Sequence, residues 1–226
     1  MKPLATSISV VLILAVVASF SVTGAISYNR SVEDEISIAV EKRNPWTSLD
    51  LNNKAEDFQF VIVTDRTGGR RPGGFTQAVE KINLLQPEFV MSVGDLIKGY
   101  TEDPGMWALE WAEFESKIAE LQMPFFFCAG NHDISNLPMS KEWQRKFGSS
   151  YYHFKYRNVL FLVLNTEEVR PKSQDYLIGK QQQKWAAEVL QNNQDVRWTF
   201  VILHKPTWTY PTGQRKWSWE ILTYGS

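Results

Sequence analysis

The chain has 226 residues, about one domain's worth once an N-terminal segment is set aside. Hydrophobic residues make up 43% and charged residues 22%, the proportions of a globular protein, which excludes a disordered chain. A formal net charge of −1 exerts no global pull on nucleic acid or anionic lipid, so any anionic ligand must be met by a local site. The single cysteine, Cys128, excludes an internal disulfide and a thiolate metal site. It lies in the apolar run Phe125–Ala129 and reads as a buried core thiol.

In chain order, Lys2 precedes an apolar run from Ile8 to Val22, followed by Thr23, Gly24 and Ala25. A charged start, a hydrophobic stretch and small residues form the pattern of a secretory signal. The run also approaches the ~20 apolar residues that span a bilayer. Residues 1–25 therefore read as a signal peptide or an N-terminal membrane anchor. Either implies export to a periplasmic, secreted or outer-face location, with membrane contact only through the possible anchor. Residues 26–56, with the cluster Glu33-Asp34-Glu35 and the turn Asn44-Pro45, read as a connecting segment before a domain over 57–226.

Gln59 to Thr64 is a β-branched and aromatic run that predicts a buried strand. A glycine- and proline-rich turn follows over 68–74; it lacks the order of a phosphate-binding P-loop and is expected to bear on substrate access. Phe75, Ala78, Val79 and Ile82 recur on one helical face, and Pro87 ends that helix. Phe89–Val93 predicts a second buried strand. Trp107, Trp111, Phe114, Ile118 and Leu121 mark a second helix, and Phe125–Ala129 predicts a third strand. This alternation points to α/β architecture with parallel pairing. Strands around 151–156 and 159–165, separated by Arg157-Asn158, predict a hairpin. A helix over 179–191 leads to a strand over Trp198–Leu203, and Trp185 and Trp198 are expected at core positions.

Each of four core strands ends in a residue able to bind a metal. Asp65 follows the first, Gly94-Asp95 the second, Gly130-Asn131-His132-Asp133 the third, and His204 the last. Ligand sites of open α/β sheets lie beyond the carboxyl ends of strands, so these loops can converge. Carboxylate, amide oxygen and imidazole suit divalent ions such as Mn, Zn, Fe or Mg. His153 alternates with aromatics in Tyr151-Tyr152-His153-Phe154 and reads as structural or surface-exposed rather than as a ligand.

The Gly-Asp at 94–95, the Gly-Asn-His-Asp at 130–133 and the strand-terminal His204 before Lys205-Pro206 resemble the calcineurin-like metallophosphoesterases. The resemblance runs from about Phe58 to Pro206, and the Gly-Asn-His-Asp motif is its most specific element. It implies a sandwich of two mixed β-sheets flanked by helices, with two divalent metal ions at one edge. Asp95 would bridge both ions, Asp65 would bind the first, and Asn131 and His204 the second. His132 would face the substrate and Asp133 would orient it. Two such ions, about 3.5–4 Å apart, clamp the attacking and leaving oxygens of an in-line displacement, and bound water with its pKa near ~7 is a hydroxide nucleophile. A phosphomonoester or phosphodiester substrate is thereby implied.

Two departures stand out. The family's Asp-x-His is here Asp65-Arg66-Thr67, which replaces an imidazole with a poorer ligand and leaves Arg66 as a candidate phosphate contact or a solvated loop residue. The family's later Gly-His-x-His pair has no counterpart, because no histidine follows His204 before Ser226. The domain is therefore expected to be truncated at its C-terminus. A purple acid phosphatase would place tyrosine three residues after Asp95, where Lys98 stands, with Tyr100 out of register by two. The alternatives are a non-catalytic phosphoesterase-like binding domain with a degraded metal site, and carbohydrate binding through tryptophans of the 198–219 region.

A reporter active only outside the cytoplasm, fused to residues 1–40, is expected to be active. Silence from a fusion that is demonstrably made would remove the export reading.

Overall fold

A computed structural model describes residues 36–51, 57–69, 71–168 and 178–206. Among these described residues, seven strands and four helices follow in the order β1 (Ile36–Ile38), β2 (Phe60–Val63), α1 (Gly74–Leu85), β3 (Phe89–Ser92), α2 (Pro104–Ile118), β4 (Phe125–Phe126), α3 (Leu137–Phe147), β5 (Tyr152–Tyr156), β6 (Val159–Val163), α4 (Lys180–Gln191) and β7 (Trp198–Ile202). The apolar run at 8–22 and the tryptophans at 208, 217 and 219 lie outside the described residues. Among the described residues, no helix is long and apolar enough to cross a membrane.

One sheet is parallel throughout, in the order β2-β3-β4, as the strand–helix alternation requires. The other, β1-β5-β6-β7, is mixed: β5 is antiparallel to β1 and β6, and β7 runs parallel to β6. Successive side chains of a strand point to opposite faces, so each central strand can serve two cores. On β3 and β4, Val90 and Phe125 join a core with Trp107, Trp111 and Phe114 of α2 and Met139, Trp143 and Phe147 of α3. Phe89, Met91 and Phe126 face the other way and meet Phe154, Phe161 and Val163 of the second sheet. On the far face of that sheet, Leu160 and Leu162 pack against Ala186 and Val189 of α4. The result is four layers, helix–sheet–sheet–helix.

Aromatic rings fill the middle of the sandwich. Phe89 lies within 5.2–6.0 Å, centroid to centroid, of Phe126, Phe154, Tyr156 and Phe161, each in edge-to-face geometry. Edge contacts of this kind add about 0.5–1.5 kcal/mol beyond the area they bury. Cys128 is fully buried at this interface, and burial raises its thiol pKa far above the ordinary range.

The elements follow from local chemistry. Asp103 caps α2, its carboxylate accepting from the Gly105 N–H at 2.8 Å, with Pro104 at the first helical position. The β5–β6 hairpin turns on Arg157 and Asn158, both with positive φ (46° and 60°), as a two-residue primed turn demands. Helix α3 was not expected from the sequence. Its signals were an Asn136 cap accepting from the Met139 N–H, a proline in the first turn, and Met139, Trp143 and Phe147 four residues apart.

Three expectations need correction. Residues 36–51, the described part of the segment expected to connect, do more than that: β1 pairs with β5, and the backbone of Pro45 and Thr47 bonds to Phe127 and Phe125. The first strand is not fully buried, because β2 is a sheet edge and Ile62 is 50% exposed. Trp198 is 60% exposed for the same reason at the edge strand β7, whereas Trp185 packs against the α4 core.

Candidate metal centre

The loops after β2, β3, β4 and β7 meet at one end of the sandwich. They approach so closely that neither Gly94 nor Gly130 admits a side chain. A Cβ on Gly94 would lie 2.6 Å from Gly130 Cα and 2.9 Å from His204 Nδ1. A Cβ on Gly130 would lie 2.3 Å from both the backbone nitrogen and Oδ1 of Asp95. The glycines of the Gly-Asp and Gly-Asn-His-Asp motifs are thus the condition for bringing Asp95, Asn131 and His204 together. Asp65 and Asp95 both adopt the left-handed region (φ 44° and 59°), which aspartate tolerates better than most residues.

Asp133 holds this junction. Its Oδ2 accepts from the backbone N–H groups of Asp95 and Gly130 at 2.8 Å each, and its Oδ1 accepts from those of Leu96 at 2.9 Å and Ile97 at 3.1 Å. Burial pushes its pKa up to about 7; the amides of Gly130, Ile97 and Leu96 act in the opposite sense, and the Asp95 charge adds to the rise. Both oxygens are committed to the backbone. The expectation that Asp133 orients His132 is therefore corrected: the His132 ring is held by the Lys98 carbonyl, 2.6 Å from Nδ1.

Asp65, Asp95 and His204 each offer a ligand atom, all within 4.8 Å of one another. His204 Nδ1 lies 2.8 Å from the Val93 carbonyl, which can only accept, so Nδ1 carries the hydrogen. In the uncharged ring, Nε2 then presents a lone pair to Asn131 Oδ1 at 2.9 Å and to Asp95 Oδ1 at 3.4 Å. Asn131 turns its oxygen this way while its Nδ2 donates to the Tyr100 hydroxyl at 2.8 Å. Three oxygen-bearing side chains and one ring nitrogen thus converge. This donor set fits a divalent cation of hard or borderline character. The residue after His204 is anchored by the buried Glu167, whose Oε2 is 2.5 Å from Lys205 Nζ.

Asp95 also accepts the His132 N–H on Oδ1 at 3.0 Å, and its Oδ2 is 3.8 Å from His132 Nε2. Because Nδ1 donates to Lys98, His132 is left with Nε2 as the atom that takes up or releases a proton.

The two residues that break the family pattern have structural tasks. Arg66 is not a solvated loop residue. It is 8% exposed, pairs with Glu113, donates to the Leu96 carbonyl at 2.8 Å, and lies over the rings of Phe75 and Phe114. Burial acts to raise the Glu113 carboxyl, but its bonds to Arg66 and Lys117 prevail and hold it below the usual carboxylate range. Thr67 lies near the Asp95 carbonyl, with its hydroxyl at 3.3 Å and its N–H at 3.2 Å.

Beside Asp65 opens a cavity of about 620 Å³, with Thr64, Arg71, Gly73, Phe75 and Lys117 in its wall. The glycine-rich turn expected to bear on access does line it. His153 sits on β5, partly covered by Trp185 and away from this group. Sequence reasoning missed Tyr100, whose ring lies 4.7 Å from that of His132, edge to face. Its signal was Gly99, a second left-handed glycine five residues after Gly94.

A family model described as calcineurin-like phosphoesterase matches residues 57–223. The chain is similar to serine/threonine-protein phosphatase CPPED1 of Bos taurus, 29% identical over 177 residues that cover 75% of this chain and 53% of that protein. The Mus musculus protein of that name is 30% identical over 168 residues, covering 66% and 53% respectively. The chain thus spans about half the length of these curated relatives. A dimetal phosphatase from Danio rerio shares the fold, with a TM-score of 0.60 and 12% identity over 74% of this chain and 78% of the other.

Replacing Asp133 with asparagine turns an N–H₂ group toward backbone donors and strands at least one of them. Asp133→Asn is expected to lower stability by about 1–3 kcal/mol. An unchanged urea midpoint for this variant would contradict the clamp.

Proposed function

The chain belongs to the calcineurin-like phosphoesterase family, and from that premise we propose that it is a metal-dependent hydrolase of phosphomonoesters or phosphodiesters. Two divalent ions would be held by Asp65, Asp95, Asn131 and His204. The observation that carries this reading is the convergence of Asp65, Asp95 and His204, whose ligand atoms lie within 4.8 Å of one another, with Asn131 Oδ1 2.9 Å from His204 Nε2.

Each residue has a distinct task. Asp95 occupies the centre, in reach of His204 on one side and His132 on the other. Asp65 closes the group from β2, and His204 reaches it from the second sheet. Bound divalent ions supply Lewis acidity toward phosphoryl oxygens and acidify water. His132, fixed through Nδ1, holds a proton on Nε2 for the leaving-group oxygen. The cavity beside Asp65 gives room for the rest of the substrate, with Arg71 in its wall. We propose that this chemistry takes place outside the cytoplasm, on the strength of the apolar run at 8–22.

The test is turnover of p-nitrophenyl phosphate and of its bis ester with Mn, Zn, Fe or Mg added, alongside metal content. Asp95→Ala is expected to lose metal and activity together. His132→Ala is expected to keep its metal while turnover falls by about 10²–10⁴-fold, the usual contribution of a general acid or base. A chain that binds no divalent ion and turns over neither ester would instead be a binding domain.

A further inference from the structure

We propose that Tyr100 is a positioning residue of this site: its hydroxyl sets the side chain of Asn131 against the ligand cluster, and its ring steadies His132. The proposal rests on the hydrolase reading above.

Three consecutive residues, Lys98, Gly99 and Tyr100, are moulded onto the Asn131-His132 pair. The Lys98 carbonyl meets His132 Nδ1 at 2.6 Å. Gly99 passes so close that a Cβ there would lie 1.7 Å from the His132 carbonyl oxygen. The Tyr100 hydroxyl then takes the Asn131 Nδ2–H at 2.8 Å, and its ring meets the His132 ring edge to face. Both Gly99 and Tyr100 hold left-handed backbone (φ 57° and 55°), an uncommon conformation for a bulky aromatic residue. Tyr100 is 61% exposed, so hydrophobic burial does not account for that conformation. Strain at an exposed residue persists only where its surroundings over-determine it. The surroundings here do so. The Gly99 N–H donates to Glu110 Oε2 at 2.8 Å, and the Thr101 carbonyl accepts from Trp107 Nε1 at 2.8 Å and Asn136 Nδ2 at 3.1 Å.

The consequence falls on Asn131. An asparagine amide pivots freely about its last torsion unless both ends are engaged. Here one end is tied to Tyr100, and the other therefore stays within 2.9 Å of His204 Nε2. A phenol suits this task because it accepts from the amide nitrogen without adding charge beside the cluster. Groups that hold a metal ligand from behind typically contribute 10–100-fold in metal affinity or activity.

The test is Mn²⁺ titration of the full 226-residue chain, read as free Mn²⁺ by electron paramagnetic resonance, for wild type, Tyr100→Phe, Asn131→Ala and the double variant. Tyr100→Phe keeps the ring and is expected to weaken Mn²⁺ binding about tenfold. The double variant should bind no more weakly than Asn131→Ala alone, because the hydroxyl acts through that amide. With Mn²⁺ saturating, Tyr100→Phe should recover turnover of p-nitrophenyl phosphate, whereas Tyr100→Ala, which also frees His132, should not. Wild-type Mn²⁺ affinity in Tyr100→Phe, or a full additional loss in the double variant, would overturn the proposal and leave the hydrolase reading standing. A wild-type chain that takes up no Mn²⁺ would overturn both.

Discussion

A carboxylate taken out of water needs its lone pairs met, and Asp133 meets them with four backbone N–H groups from the loops after β3 and β4. Everything at the site depends on that exchange. The loops cross at Gly94 and Gly130 with no room for a side chain, a contact that leaves backbone amides with no strand to pair with. One buried acid satisfies them, and in doing so places Asp95 and the Asn131-His132 pair on the same side of the crossing. The last residue of the Gly-Asn-His-Asp motif thus acts on backbone geometry, and its neighbours act on the ligand.

The strand and helix order was legible because hydrophobic periodicity records which face is buried. Val79 and Ile82 on α1, and Trp107, Trp111, Phe114 and Ile118 on α2, mark their helices correctly. Parallel pairing of β2, β3 and β4 followed from the helices between them. Helix α3 was hidden because its exposed face is strongly charged, with Lys141, Arg145 and Lys146 between its apolar positions. Edge position was hidden as well. Ile62 and Trp198 carry the same apolar signal as a central residue, and only the neighbour on the other side decides whether they are covered. Strand β1 was missed because three residues are too few to show a period.

The site was legible as a set of residue types but not as a set of contacts. Asp65, Asp95 and His204 do converge, with Asn131 beside them. The sequence could not say that Asp133 turns toward the backbone, or that Arg66 is buried against Glu113 between Phe75 and Phe114. An arginine next to an aspartate reads as a phosphate contact when charge alone is weighed. Its long stem lets it reach α2 instead, where two rings and a carboxylate hold it. Tyr100 was set aside by counting positions. Two successive left-handed residues shorten the path of the loop and bring its hydroxyl back over the motif.

His204 comes from the mixed sheet, whereas Asp65 and Asp95 come from the parallel one, and the bond from His204 Nδ1 to the Val93 carbonyl crosses between them. A cation held by all three would act as a rivet through two separately built layers. Thermodynamic linkage then ties the site to the aromatic core. Any ligand that binds only the assembled sandwich stabilises it, by about 2.7 kcal/mol at a hundred times its dissociation constant. The converse holds with equal force. Loosening the edge-to-face contacts of Phe89 with Phe154 and Phe161 would let the sheets slip, so a change with no polar atom near the ligands would still register as weakened metal affinity.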